Sequence, residues 1–221
     1  MIPIRDLNPT RTFAFVNLFL ILLCISVWVY EISLPPPLLN EFIYNYGLVP
    51  ALMFSKPWTL ITYMFIHGGW LHIIGNMIYL WVFGDNVEDR LGHFKYLLFF
   101  ITAGVFAGLT QAVISFLFGN PYIPLIGASG AIAGVLGAYM YYYPHARVFG
   151  FIPFFIFLIP VEWPAAVFIG FWFLFQIVNG ILFLPFAHEG GVAWFAHIGG
   201  FLIGYLMAML PDKLKTSKSV F

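Results

Sequence analysis

The 221-residue sequence predicts an all-α membrane protein, a six-transmembrane-helix bundle with an interfacial loop between the first and second helices. Three observations predict it. Hydrophobic residues make up 62% of the chain and charged residues 8%, whereas a soluble domain carries about 25% charged residues. Six apolar segments approach the roughly 20 residues that a helix needs to cross a bilayer. Finally, eight of the nine basic residues fall in tails and connections that six spans place on one side.

The spans are expected at 13–32, 70–83, 96–118, 128–143, 164–183 and 193–210. The second and fourth are short, as suits helices shielded inside a bundle. The first is followed by Pro35-Pro36-Pro37 and by no small-residue cleavage site, so it reads as a retained helix and not a signal peptide. The stretch 35–66, rich in aromatic residues and proline, is the expected outer interfacial loop. The stretch 148–161 is apolar but short and holds Pro153 and Pro160, so it is expected to lie at the interface or to re-enter the membrane.

Arg5, Arg11, Arg90, Lys95, Arg147, Lys213, Lys215 and Lys218 fall on one side and Lys56 alone on the other. The positive-inside rule then puts both termini in the cytoplasm. The expected organisation is a cytoplasmic N-terminal tail over 1–12, one membrane domain over 13–211, and a basic cytoplasmic C-terminal tail over 212–221. The absence of a targeting peptide points to a prokaryotic inner membrane. A formal net charge of zero offers no footprint for nucleic acid. The lone Cys24 has no partner for an internal disulfide. No metal motif such as H-E-x-x-H occurs, and no cofactor is expected.

Six spans put the starts of the even-numbered helices at one face. Ser129 opens the fourth, His197 lies near the start of the sixth, and His72 near the start of the second. Polar residues inside a membrane are expensive and functional by default. A serine at a helix start has unpaired backbone N–H groups and the positive end of the helix dipole beside it, which suits an oxyanion. In isolation, a serine among small residues is more often a packing residue. His197 changes that reading, because a serine hydroxyl needs an adjacent base.

His197, Gly200, Gly204 and Ala208 share one helical face. Ser129, Ala133 and Gly137, beside Gly130 and Gly134, form a small-residue face on the fourth helix. Packing these faces would bring His197 to Ser129; a structural histidine bonded across helices is the alternative. His72 and Asn76, at i and i+4, share a face. They are either side-chain donors for an oxyanion or a plain interhelical network. His67 points about 140° away from His72, given five residues at 3.6 per turn, and is expected to order the outer loop.

The runs His67-Gly68-Gly69-Trp70-Leu71-His72-Ile73-Ile74-Gly75-Asn76, Val87-Glu88-Asp89-Arg90-Leu91-Gly92, Gly127-Ala128-Ser129-Gly130 and Ala196-His197-Ile198-Gly199-Gly200 resemble, in this order, the signatures of rhomboid-family intramembrane serine proteases of the six-span prokaryotic type. The likeness covers nearly everything from Trp58 onward. It implies Ser129 as nucleophile and His197 as general base and then acid. It also implies His72, Asn76 and the Ser129 backbone N–H around the oxyanion. Its substrates would be transmembrane helices of other proteins, cut within the bilayer near its outer face. The fifth helix, with Trp172, and the loop from Pro185 to Trp194, with Gly190 and Gly191, would be a gate and cap.

The sequence departs from the family at two places. Many relatives carry an aromatic four residues after the serine, where this chain has Ala133, so His197 must be oriented by something else, an aromatic of the sixth helix or a water. The Trp-Arg pair of the outer loop reads Trp58-Thr59 here. Two rivals are a catalytically inactive rhomboid-like protein that binds membrane proteins, and a small channel or transporter. The second lacks mid-membrane carboxylates. A Ser-His-Asp triad has no candidate acid, since the nearest, Glu189, sits in the loop.

Overall fold

The computed structural model describes the backbone of residues 1–217 and the side chains of 1–153 and 155–210. The chain opens with strand β1 (Ile2–Asp6), followed by helices α1 (Phe15–Ser33), α2 (Pro36–Tyr46), α3 (Thr59–Thr62), α4 (Trp70–Leu91), α5 (His93–Phe118) and α6 (Ser129–Tyr142). A hairpin of β2 (Arg147–Phe154) and β3 (Phe157–Pro164) leads to α7 (Ala165–Phe183) and α8 (Trp194–Ser217). Each of the six expected spans is therefore a helix. Among the described residues, three segments are long and apolar enough to cross a membrane: α1, α5, and α7 with its following turn to Glu189.

Of the other three expected spans, α6 is enclosed by its neighbours, whereas α4 and α8 each keep exposed apolar side chains, Leu71 and Trp81 on α4 and Leu202 and Leu206 on α8. Helix α4 ends in Asp85, Glu88, Asp89 and Arg90, polar residues that need partners. Helix α6 is 14 residues long, about 21 Å at 1.5 Å per residue, and everything from Gly130 to Tyr139 is buried. A helix apolar all round is a core helix. Helix α8 lies directly on it. A β-carbon on Gly200 would collide with the carbonyl of Gly130, and one on Gly204 with the backbone of Gly134. These glycines let the two backbones approach where larger side chains would hold them apart. The expected small-residue packing of the fourth and sixth spans is present, with Gly130 and Gly134 as the closest points.

At the far end of these helices lies a three-stranded antiparallel sheet in the order β1-β2-β3. This corrects the purely helical expectation: the stretch 148–161, expected at the interface or re-entrant, forms two strands. Phe, Ile and Val favour a strand, and Pro153 and Pro160 bar a helix. Both prolines are tolerated by position: β3 is an edge strand, and Pro153 lies beyond Phe151, the last β2 residue that pairs with β1. Residues 1–12 are likewise part of the folded domain, since β1 is in the sheet. Helix α8 runs past 211 to Ser217; of the expected 212–221 tail, Lys218 to Phe221 lie outside the described residues.

The sheet end is tied to the helices by a paired polar network. Val87-Glu88-Asp89-Arg90-Leu91 forms the C-terminal end of α4. The carboxylate of Glu88, wholly buried, accepts from the backbone N–H groups of Val16 (3.0 Å) and Asn17 (2.7 Å). Those are orphan donors in the first turn of α1, so a carboxylate from α4 caps α1. Asn17 donates to the Leu80 carbonyl (2.9 Å) and accepts from the Tyr96 hydroxyl (2.7 Å). Asp6 accepts from the Tyr139 hydroxyl and from Asn86.

At the opposite end, 35–66 forms α2, α3 and short 3-10 turns rather than open loop. Trp58 Nε1 donates to the Asn45 carbonyl (3.1 Å), and Lys56 Nζ to the Tyr44 carbonyl (3.2 Å) and Asn45 Oδ1 (2.9 Å). A cation thus sits against the last carbonyls of α2, where the helix dipole favours it. This anchors the loop without an arginine after Trp58. Below it, Tyr63 and Met64 fill the groove left by Gly104 and Gly108 of α5.

Candidate active site

The α6–α8 packing has a direct consequence. With Gly130 seated against Gly200, the neighbouring Ser129 and His197 meet, and Ser129 Oγ lies 2.8 Å from His197 Nε2. Both side chains are half-buried, at the end of the bundle that carries α2 and α3. Ser129 is the first residue of α6, so its N–H belongs to the unpaired first turn of that helix.

His72 and Asn76 converge on the same place from α4. The residue between them and the serine is Gly127, with φ +116°. A β-carbon there would sit 2.6 Å from His72 Nε2 and 3.8 Å from Asn76 Nδ2. Only glycine accepts both that backbone and that approach. His72 Nδ1 accepts from the Gly68 N–H (3.3 Å). The ring proton is therefore on Nε2, the nitrogen that faces Gly127. Asn76 is 8% exposed, and its Nδ2 is a buried donor with no hydrogen-bond partner. An unsatisfied buried donor beside a nucleophile is what an oxyanion site needs before any oxyanion forms.

His67 is buried beside this group, its ring 5.2 Å from that of His72. Its Nδ1 lies 3.2 Å from the Phe65 carbonyl, and its backbone N–H donates to the buried Glu31 carboxylate of α1 at 3.2 Å to each oxygen. It orders the segment leading into α4.

Three groups surround His197. Its Nδ1 lies 2.8 Å from Oε1 of Gln176 on α7. The Trp172 ring is tilted beside the imidazole at 6.0 Å, and Trp194 meets it edge-on at 6.3 Å. Sequence reasoning missed Gln176. The available signal was its type: with Asn179 it is one of two amide side chains in an otherwise apolar fifth span, where polar groups are expensive. Ala133, which leaves no aromatic stack on the base, is itself fully buried.

The remaining candidates lie apart from the pair. Gly190 and Gly191 have positive φ (85° and 122°) and line a cavity of about 540 Å³ with Gln111, Ser115 and Trp194, under the α7–α8 connection. Glu189 reaches the His188 ring at 3.8 Å, not His197. Among the described residues, no three His, Cys, Asp or Glu side chains gather as a metal site would require.

The arrangement is a hydroxyl on an imidazole, with His72 and the unpaired Asn76 amide close by across Gly127, groups of the kind that acyl transfer uses. The family model for the rhomboid domain matches residues 55–211. The chain is 27% identical over 204 residues to "Rhomboid protein 1, mitochondrial" of Saccharomyces cerevisiae, covering 89% of this chain and 54% of that protein. It is 27% identical over 179 residues to "Rhomboid protease GlpG" of Salmonella paratyphi A, covering 76% and 53%. Over 84 residues it is 42% identical to "Rhomboid protease GluP" of Bacillus subtilis, covering 38% and 15%. The chain thus spans about half or less of the length of these relatives. With the match over most of its length and its apolar helices, this chain is an integral membrane protein that belongs to the rhomboid family.

Proposed function

We propose that the protein is an intramembrane serine endopeptidase that cuts transmembrane helices of other membrane proteins by a Ser129–His197 dyad. The observation that carries this is the 2.8 Å Ser129–His197 hydrogen bond next to an Asn76 amide that is buried and unpaired. The names of the relatives, two of them rhomboid proteases, support the same reading.

In the first step Ser129 Oγ attacks the scissile carbonyl carbon while its proton passes to His197 Nε2. The carbonyl oxygen becomes an oxyanion, which the Ser129 N–H, His72 Nε2–H and Asn76 Nδ2–H can receive. The C–N bond then breaks, His197 returns the proton to the leaving amine, and an ester to Ser129 remains. Water, deprotonated by His197, attacks the ester carbonyl; the C–O bond to Ser129 then breaks, His197 returns the proton to Ser129 Oγ, and the carboxylate product leaves.

The topology proposed is six spans with both termini cytoplasmic. Pairing of β1 with β2 brings Arg5 and Arg147 to the same end as Arg90 at the close of α4, which supports a cytoplasmic sheet end and an outer Ser129 end.

Two measurements test the reading: labelling by a serine-directed fluorophosphonate, and cleavage of a model transmembrane substrate in detergent or liposomes. The parent is expected to do both. Ser129→Ala and His197→Ala are expected to lose both, by roughly 10⁴-fold or to below detection, while remaining folded. A folded parent that neither labels nor cleaves would instead be an inactive member that binds membrane proteins.

A further inference from the structure

We propose that Gln176 is the positioning residue of the dyad. It holds His197 in the one tautomer and ring orientation in which Nε2 can take the serine proton. The inference rests on the serine-protease reading above.

The argument starts from which end of the amide faces which partner. Gln176 is 3% exposed, and both ends of its amide have partners within the protein. Its Nε2 lies 3.0 Å from the Trp172 carbonyl, one turn earlier on α7. A carbonyl can only accept, so the NH₂ end must face Trp172. Oε1 is therefore the end that lies 2.8 Å from His197 Nδ1. An amide oxygen also only accepts, so Nδ1 carries the ring proton and Nε2 keeps its lone pair. That lone pair is what the Ser129 hydroxyl, 2.8 Å away, donates to. The three bonds run in one direction: Ser129 O–H to Nε2, Nδ1–H to Oε1, Gln176 N–H to the Trp172 carbonyl. Turning the amide over would set acceptor against acceptor at Trp172, and would move the ring proton to Nε2, which could then no longer accept from Ser129.

The amide therefore does part of what the acid does in a Ser-His-Asp triad, where it fixes tautomer and orientation and also stabilises the imidazolium that forms. Gln176 can supply the first two. The rings of Trp172 and Trp194 on two sides of the imidazole narrow its remaining freedom. This answers what orients the base when position 133 is alanine.

The test compares the parent, Gln176→Leu and Gln176→Glu as full-length protein in detergent, reading kcat and KM on a transmembrane substrate, fluorophosphonate labelling rate and pH profile. Leucine approximates the volume but removes the acceptor. Gln176→Leu is expected to lower kcat and the labelling rate on the order of 10²-fold with KM within about twofold. Glutamate keeps the acceptor. Gln176→Glu is expected to retain activity, with the acid limb of the rate–pH profile moved to higher pH by about one unit, because a carboxylate favours the imidazolium.

Gln176→Leu with the parent's kcat and labelling rate would overturn the proposal. So would a Gln176→Glu variant that is as slow as Gln176→Leu and shows no shift in pH profile, and this second variant decides the matter if the first does not fold. Failure of the underlying reading looks different: the parent itself would not label, whereas a labelled parent with an equally labelled Gln176→Leu removes the role of Gln176 alone.

Discussion

The two ends of the helix bundle treat their polar atoms in opposite ways. At the sheet end, Asp6, Asn8, Asn17, Asn86, Glu88, Tyr96 and Tyr139 all have hydrogen-bond partners, most of them on another element. At the Ser129 end, Asn76 Nδ2, His67 Nε2 and Trp28 Nε1 are buried without one, and they are the buried side-chain atoms so placed among the described residues. An unpaired buried donor costs about 1–3 kcal/mol. The sheet end is built to hold β1, α1 and α4 together. The other end carries an unfilled donor at the point where the proposed reaction would generate negative charge, and the first end's pairing can offset that cost. Stability and chemistry are thus separated along the bundle axis.

That separation can be broken by experiment. The largest effect is expected for Asn76→Ala, with kcat falling by roughly 10²-fold, or less if His72 and the backbone N–H carry more of the oxyanion. Its thermal midpoint should stay the same or rise, since a buried unpaired donor is removed. A fall in the midpoint with unchanged kcat would show that Asn76 is structural and would cancel the contrast.

Glu88→Ala should behave in the reverse sense. Two backbone N–H groups at the start of α1 lose their acceptor, costing about 2–3 kcal/mol, or roughly 5–10 °C in a chain of this size. The kcat of the protein that remains folded should stay within about twofold. If kcat dropped as far as in Asn76→Ala, the ends would be coupled.

The smallest effect is expected at Asp6. Burial pushes its carboxyl up from 3.8 to about 6, against the lowering effect of the Tyr139 hydrogen bond. The folded protein then binds this proton more tightly than the unfolded chain does, so stability falls as pH rises from about 4 through 6. Between pH 7 and pH 5 the parent's midpoint should rise relative to that of Asp6→Asn by about 1–3 °C, a modest figure because the group is partly solvated. A difference of the opposite sign would mean that Asp6 is held as a carboxylate by its donors.

Much of this was legible beforehand, and the misses share a cause. The six helices announce themselves by uninterrupted apolar length, and Ser129, His197, His72 and Asn76 by spacing, since one helical face or one helix start is a local property. The hairpin was hidden because its 14 apolar residues fit an interfacial segment as well as two strands, and only pairing with Ile2–Asp6 distinguishes them. Glu88 read as part of a motif with no visible role, because the N–H groups it caps lie some 70 residues earlier. Gln176 carried the signal of a polar residue in a span, but nothing in its own helix says that it faces His197 and Asn179 does not.

Composition and spacing by themselves determined that the chain lives in a membrane, where its long apolar helices lie, and which serine and histidine open two of them. These follow from transfer free energy and helical periodicity, which act within one segment. The tertiary structure alone decided that Gly130 docks on Gly200, that Gly127 admits His72, and that an amide from α7 sets the tautomer of His197. Those depend on distances between segments far apart in the chain, and a hydrogen bond is decided within a few tenths of an ångström.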